Sequence, residues 1–181
     1  MSPQKTAPNI ENGLEHAELI QAELEGKLKA IAGYDEILWK IRAGYVGILY
    51  GSLAIIIGTN GIQNLQTLID EPSRILTLFL LVAGFSISSY IVDHTYLAKK
   101  IRVIVARNLL VKLNLNKQVE TPNKLFPLLA ISGELRESEL PDQAHEEFRR
   151  ILSQNRRSEL LPIYATAPFL MLFIYLIVYY L

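Results

Sequence analysis

Three stretches of this chain contain no Asp, Glu, Lys or Arg and are dominated by apolar residues. They are residues 43–59 (AGYVGILYGSLAIIIGT), 75–92 (ILTLFLLVAGFSISSYIV) and 160–181 (LLPIYATAPFLMLFIYLIVYYL). A helix needs roughly 17–25 such residues to cross a hydrocarbon core about 30 Å thick. All three qualify, the first two at the short end. They predict an all-α integral membrane protein with three transmembrane helices and extended cytosolic helices.

Composition agrees with a chain divided between lipid and water: 50% of the residues are hydrophobic, yet 20% are charged. The formal net charge of zero conceals an uneven layout. Lys27, Lys29, Lys40 and Arg42 precede the first stretch, and only Arg74 separates the first from the second. Lys99, Lys100, Arg102, Arg107 and Lys112 follow the second, and Arg149, Arg150, Arg156 and Arg157 precede the third. Basic residues near span ends favour the cytosolic side. One arrangement satisfies every flank: N-terminus inside, residues 60–74 outside, residues 93–159 inside and C-terminus outside. The expected organisation is a cytosolic N-terminal helix (1–42), a transmembrane hairpin (43–92), a cytosolic helical region (93–159) and a C-terminal transmembrane helix (160–181). Residues 1–42 lack the apolar core of a cleavable signal peptide, so the internal spans would direct insertion. There is no cysteine, which excludes disulfides, thiol catalysis and Cys-based zinc sites.

Residues 1–8 are polar, contain two prolines and are expected to be disordered. Beyond about Glu11, Ile20, Leu24, Leu28, Ile31, Leu38 and Ile41 recur at three- and four-residue steps, the pattern of an amphipathic helix, with a break near Tyr34 and Asp35. This helix is expected to run into the first span, placing Trp39 and Tyr45 in an interfacial aromatic belt. Gly44, Gly47, Gly51, Ala54 and Gly58 form a seam of small residues along that span. Such seams let helix backbones approach closely in lipid. The seam suits either an oligomer contact or packing against the second span. Between these spans, Ile62, Leu65, Leu68 and Ile69 suggest a short amphipathic turn on the outer surface, ended by Pro72.

Ser86, Ser89 and Asp93 share a face at the cytosolic end of the second span. They are the candidate pore-lining residues, because an ionisable group near the cytosolic end of a span often marks an ion path or a structural pair. The competing explanation is that the serines bond back to their own helix and that Asp93 is solvated. Farther on, Leu97, Ile101, Ile104, Asn108, Val111 and Leu115 form a heptad seam with one polar member. It would hold copies of the chain in register or bury against the N-terminal helix. Thr121, Pro122, Asn123 and Pro127 mark a break, followed by a short helix or turn over 124–135. Residues 141–157 read as a helix with Pro141 at its first position, acidic residues early and arginines late, as the helix dipole favours. Ser158 is expected to cap the third span, Pro168 to kink it, and Tyr175, Tyr179 and Tyr180 to anchor its outer end.

Catalytic chemistry is not signalled. His16, His94 and His145 lie in separate segments, with no partners at metal-ligand spacing. There is no Gly-rich phosphate loop, nucleophile elbow or HExxH. The expectation is a non-enzyme with no metal and no cofactor. Lys99, Lys100, Arg102, Arg149, Arg150, Arg156 and Arg157 instead suggest a basic collar beneath the membrane. It would suit a nucleotide or short oligonucleotide through phosphate attraction. The same residues are better explained as the charges that hold this region cytosolic, and the scarcity of aromatics there, Tyr96 and Phe148, argues against specific base readout.

Residues 34–42 (YDEILWKIR) and 96–105 (YLAKKIRVIV) resemble segments of small bacterial membrane proteins found in defence islands. The order of a cytosolic helix, a transmembrane hairpin and a long following helix is similar to the SLATT-type effectors. It also resembles the membrane effectors of Hailong-type anti-phage systems, which pair with a nucleotidyltransferase. The likeness covers roughly residues 30–115, and the third span departs from the two-span SLATT pattern. It implies an ion-conducting or membrane-disrupting effector governed by a nucleotide signal.

The reading that follows is a bacterial inner-membrane effector. It would assemble as a homo-oligomer such as a tetramer, form an ion-conducting pore and depolarise the membrane in anti-phage defence. Its expected partners are membrane lipids, further copies of itself, and a nucleotidyltransferase or its nucleotide or oligonucleotide product. The alternative is a non-conducting membrane scaffold that docks a cytosolic partner.

Overall fold

A computed structural model describes residues 10–58, 72–115 and 142–180, and every described residue is helical. The elements are α1 (Ile10–Gly58), α2 (Pro72–Leu115), α3 (Asp142–Asn155), a π-helical turn (Arg156–Leu160) and α4 (Leu161–Tyr180). At about 1.5 Å per residue, the 49 residues of α1 and the 44 of α2 run for roughly 65–75 Å. Each is about twice as long as a hydrocarbon core is thick. Apolar ends therefore continue into polar extensions within single helices, and no helix break marks the boundaries 42/43 or 92/93.

The central helix is α2, on which α1, α3 and α4 all pack. The pairs Asp35–Lys100, Arg42–Asp93 and Tyr45–Ser86 show that α1 and α2 run antiparallel. Asn108–Glu147 and Asp93–Tyr164 show the same for α2 against α3 and α4. The buried cluster joins Leu38, Tyr45 and Leu49 of α1 to Leu97, Ile101, Val105 and Leu110 of α2. Phe148 of α3, Leu160 of the π turn and Tyr164 of α4 complete it. Most of this core lies around the polar half of α2.

The apolar half of α2 is turned outward: Leu76, Leu80, Leu81, Ile87 and Ile91 are exposed, as are Phe169, Leu170, Phe173 and Leu176 of α4. An apolar surface of that extent marks a lipid or protein contact. Among the described residues, the stretch Ser73–Val111 within α2 is long and apolar enough to cross a membrane, and only 11% of its most apolar window is buried. Of the three spans expected, that criterion selects this one.

Local differences from the sequence expectations have physical causes. α1 continues through the lapse in its apolar period at Tyr34 and Asp35, where Asp35 accepts from Lys100 of α2. Leu28 points outward. Trp39 is exposed, but Tyr45 is buried within the bundle and does not belong to an interfacial belt. Pro72 opens α2, the first-position role for which its missing N–H suits it. Ser158 does not cap α4; it lies inside the π turn and donates to the Gln154 carbonyl at 3.0 Å. Helix continues from α3 into α4, so Arg156 and Arg157 do not stand at a helix terminus.

The π turn has a packing consequence. Phe148 and Leu160 are separated by twelve positions, which on a straight α-helix would set them about 120° apart. A π turn takes up roughly one extra residue. The remaining eleven positions are close to three α-turns, so both residues reach the same core.

The heptad residues divide. Leu97 and Ile101 are buried in the protomer's own core, while Val111 is exposed and Asn108 bonds to Glu147 of α3. Residues 1–8, the turn with Ile62, Leu65, Leu68 and Ile69, the break at Thr121, Pro122, Asn123 and Pro127, the segment 124–135 and Pro141 lie outside the described residues.

Candidate functional site

Among the charged residues that directly border the charge-free stretches are Arg42 before the first, Asp93 after the second and Glu159 before the third. The antiparallel packing brings them together. Arg42 donates from Nε to Asp93 Oδ2 at 2.8 Å and from Nη2 to Asp93 Oδ1 at 3.4 Å. Its Nη1 donates to Glu159 Oε2 at 3.1 Å. Tyr164 of α4 donates its hydroxyl to Asp93 Oδ2 at 2.8 Å. Asp93 is 0% exposed and accepts three of these four bonds, so its carboxylate is charge-compensated and hydrogen-bonded inside the protein. Burial works against the charge on Arg42. The hydrogen bond and attraction of Asp93, then those of Glu159, outweigh it and hold the guanidinium pKa above its ordinary value.

A second polar contact lies about two helical turns along α2. Ser86 Oγ donates to the Val82 carbonyl at 2.8 Å and lies 2.8 Å from the Tyr45 hydroxyl. A serine hydroxyl has one proton, so Tyr45 is the donor of the second bond. Aromatic rings close the space around both contacts. Tyr45 packs on Tyr164 with centroids 4.7 Å apart and stacks on Phe85 at 5.5 Å, while Tyr90 meets Tyr164 edge-on at 6.2 Å.

Of the candidate pore-lining residues, Ser86 and Asp93 are thus turned into the protomer, toward α1 and α4, and Ser89 is half-buried. The basic collar is divided among several neighbours. Lys100 pairs with Asp35 of α1, Lys99 lies over the Tyr96 ring of its own helix at 5.7 Å, and Arg102 covers Phe148 of α3 at 5.6 Å. Arg149, Arg150, Arg156 and Arg157 are exposed on α3 and the π turn. In the seam, Gly44, Gly47, Gly51 and Ala54 are exposed, and a methyl group added at any of these three glycines would meet no atom within 4 Å. The side-chain environment of Gly58 lies outside the described residues. The seam is therefore not the contact with α2, for which α1 uses Leu38, Arg42, Tyr45 and Leu49.

Arg42, Glu159, Tyr45 and Tyr164 were not among the site residues read from sequence. Arg42 and Glu159 carried a usable signal, since each directly borders an apolar stretch at the level of Asp93. The inward turn of the two tyrosines did not, because tyrosine is equally common at membrane interfaces. Among the described residues, no three His, Asp or Glu side chains cluster closely enough to hold a metal ion. No family model, curated protein or solved structure matches this chain.

Proposed function

We propose that this chain is a bacterial inner-membrane effector that forms an ion-conducting pore, gated, whether opened or held shut, by a cytosolic nucleotide or oligonucleotide acting on its helical extensions. In this reading the conformation described is the closed one. One observation carries it: Asp93, an ionisable residue at the end of a candidate span, is buried and held by Arg42 and Tyr164 from two other helices. Such residues mark functional positions by default. The junction lies where α1 and α2 pass from apolar to polar, so force on either extension bears on it. With Asp93 and Ser86 turned inward and the outer face apolar, an aqueous path requires a rearrangement that presents them to a shared axis. Three spans with N-terminus inside and C-terminus outside belong to the same proposal, as does binding of the signal by the basic residues of α2, α3 and the π turn. A nucleotidyltransferase is the class of enzyme that would make the signal.

The deciding measurement is membrane potential during expression without any regulator. Expression is expected to depolarise the cells, and purified protein to conduct in planar bilayers. Harmless overexpression together with silent bilayers would favour the second reading, a non-conducting scaffold. The observation favouring that alternative is that both carboxylate oxygens of Asp93 already have partners within one protomer.

Assembly through the exposed glycine seam is part of the proposal. Gly51→Leu meets open space within the protomer and should leave its melting temperature unchanged or slightly raised, since Gly is the poorer helix former by about 1 kcal/mol. The same change is expected to lower the oligomer mass in mild detergent. An unchanged mass would remove the seam from the interface.

A further inference from the structure

A groove of about 380 Å³ runs between α2 and α4. Phe79, Ala83 and Ile87 form one wall, Ala165, Phe169 and Leu172 the other, and Arg156 lies at one end beside Tyr90. Ser86 and Tyr164 line the groove and also take part in the contacts with Tyr45 and Asp93. Three properties of the groove select its occupant. Its walls are almost entirely apolar, and Ile87 and Phe169 open laterally toward the exposed apolar face. Along α2, Phe79 to Tyr90 measures about 16 Å, close to half of a hydrocarbon core about 30 Å thick. Among the described residues, the single charged one in its lining is the exposed Arg156, near enough to His94 to act on it electrostatically. A single-leaflet length of apolar groove ending in a guanidinium matches one acyl chain followed by a phosphate. Basic pockets between membrane helices on the cytosolic side hold anionic headgroups in this manner.

We infer that the α2–α4 groove binds one anionic phospholipid of the cytosolic leaflet, with its phosphate on Arg156 and an acyl chain along Phe79, Ala83 and Phe169. This rests on the membrane placement proposed above and is independent of conduction. The ligand would couple α4 to α2 beside the Asp93 junction, from the lipid side.

The test uses the full chain in nanodiscs of phosphatidylcholine mixed with phosphatidylglycerol, extracted into mild detergent, with retained lipid counted by mass spectrometry. Wild-type protein is expected to retain phosphatidylglycerol above its bulk proportion. Arg156→Gln, an exposed position that should not disturb folding, is expected to cut that enrichment about fivefold, the factor corresponding to about 1 kcal/mol per basic side chain near an anionic surface. Ala83→Trp should displace the lipid by filling the groove. Lys40→Gln removes the same charge from an exposed site on α1, outside the groove, and should leave enrichment unchanged. Equal loss with Lys40→Gln, retention of phosphatidylcholine instead, displacement by inorganic phosphate, or a second copy of the chain in the groove would each overturn the inference. A chain that fails to enter nanodiscs would overturn the membrane placement as well, whereas one that inserts without selecting phosphatidylglycerol overturns only the lipid site.

Discussion

Arg42→Ala is expected to destabilise the protein by about 3–5 kcal/mol, the cost of removing one partner from a buried ion pair. The magnitude follows from the asymmetry of the pair. Asp93 is wholly buried, whereas the Arg42 side chain retains 21% exposure and has Glu159 as a second partner. Without the guanidinium, Asp93 keeps only the Tyr164 hydroxyl and must remain an uncompensated charge or take up a proton. Asp93→Asn should cost less, because it leaves the exposed side of Arg42 to solvent and Glu159. Tyr164→Phe should cost about 1.5–3 kcal/mol, typical of a hydrogen bond to a charged group. The double substitution Arg42→Met with Asp93→Leu is expected to recover most of the loss, since an apolar pair of similar volume often equals or exceeds a buried ion pair. Unfolding in a fixed detergent, at fixed protein concentration, would measure the series. Full stability of Arg42→Ala would mean that the junction does not hold the helices together. If the junction is also the latch of a closed state, Arg42→Ala should make expression more toxic than wild type at equal protein levels.

A comparable loss is expected at Phe148, for a different reason. This residue is 1% exposed and sits between α3 and the polar half of α2, with the Arg102 guanidinium 5.6 Å from its ring centre. Truncating a buried phenylalanine to alanine costs about 3–5 kcal/mol through lost transfer energy and the cavity left behind, and the cation–π contact adds to it. α3 is a short helix whose apolar contacts with α2 centre on Ala144 and Phe148, so the damage should be local. Amide exchange in Phe148→Ala is expected to accelerate across α3 while the apolar half of α2 keeps its protection. Phe148→Leu should give a smaller change in the same direction. Unchanged exchange across α3 would show that this helix is held by something other than Phe148.

Much of the architecture was legible from local patterns, and the exceptions are instructive. The periodic apolar residues of α1 and α2 announced long helices, and both exist. Leu97 and Ile101 were legible as buried, but whether they face another copy or the chain's own helices was not; they belong to the core that the chain's own helices build. Asn108 looked like a register-setting residue of a coiled coil and instead bonds to Glu147. The lapse in the apolar period at Tyr34 and Asp35 falls where Asp35 meets Lys100. Periodicity reports which residues share a face of one helix, but it does not name the neighbour of that face.

By itself the sequence determined that the described chain is helical, that an apolar half and a polar half share one continuous α2, and that Arg42, Asp93 and Glu159 each sit at the edge of a charge-free stretch. These are properties of runs and spacings within single segments. Tertiary structure alone decided that the three charges meet, that Tyr45 and Tyr164 turn inward, that the glycine seam turns away from α2, and that a π turn brings Phe148 and Leu160 to one core. Each of those depends on the antiparallel register and rotation of helices far apart in the chain, which no local pattern specifies.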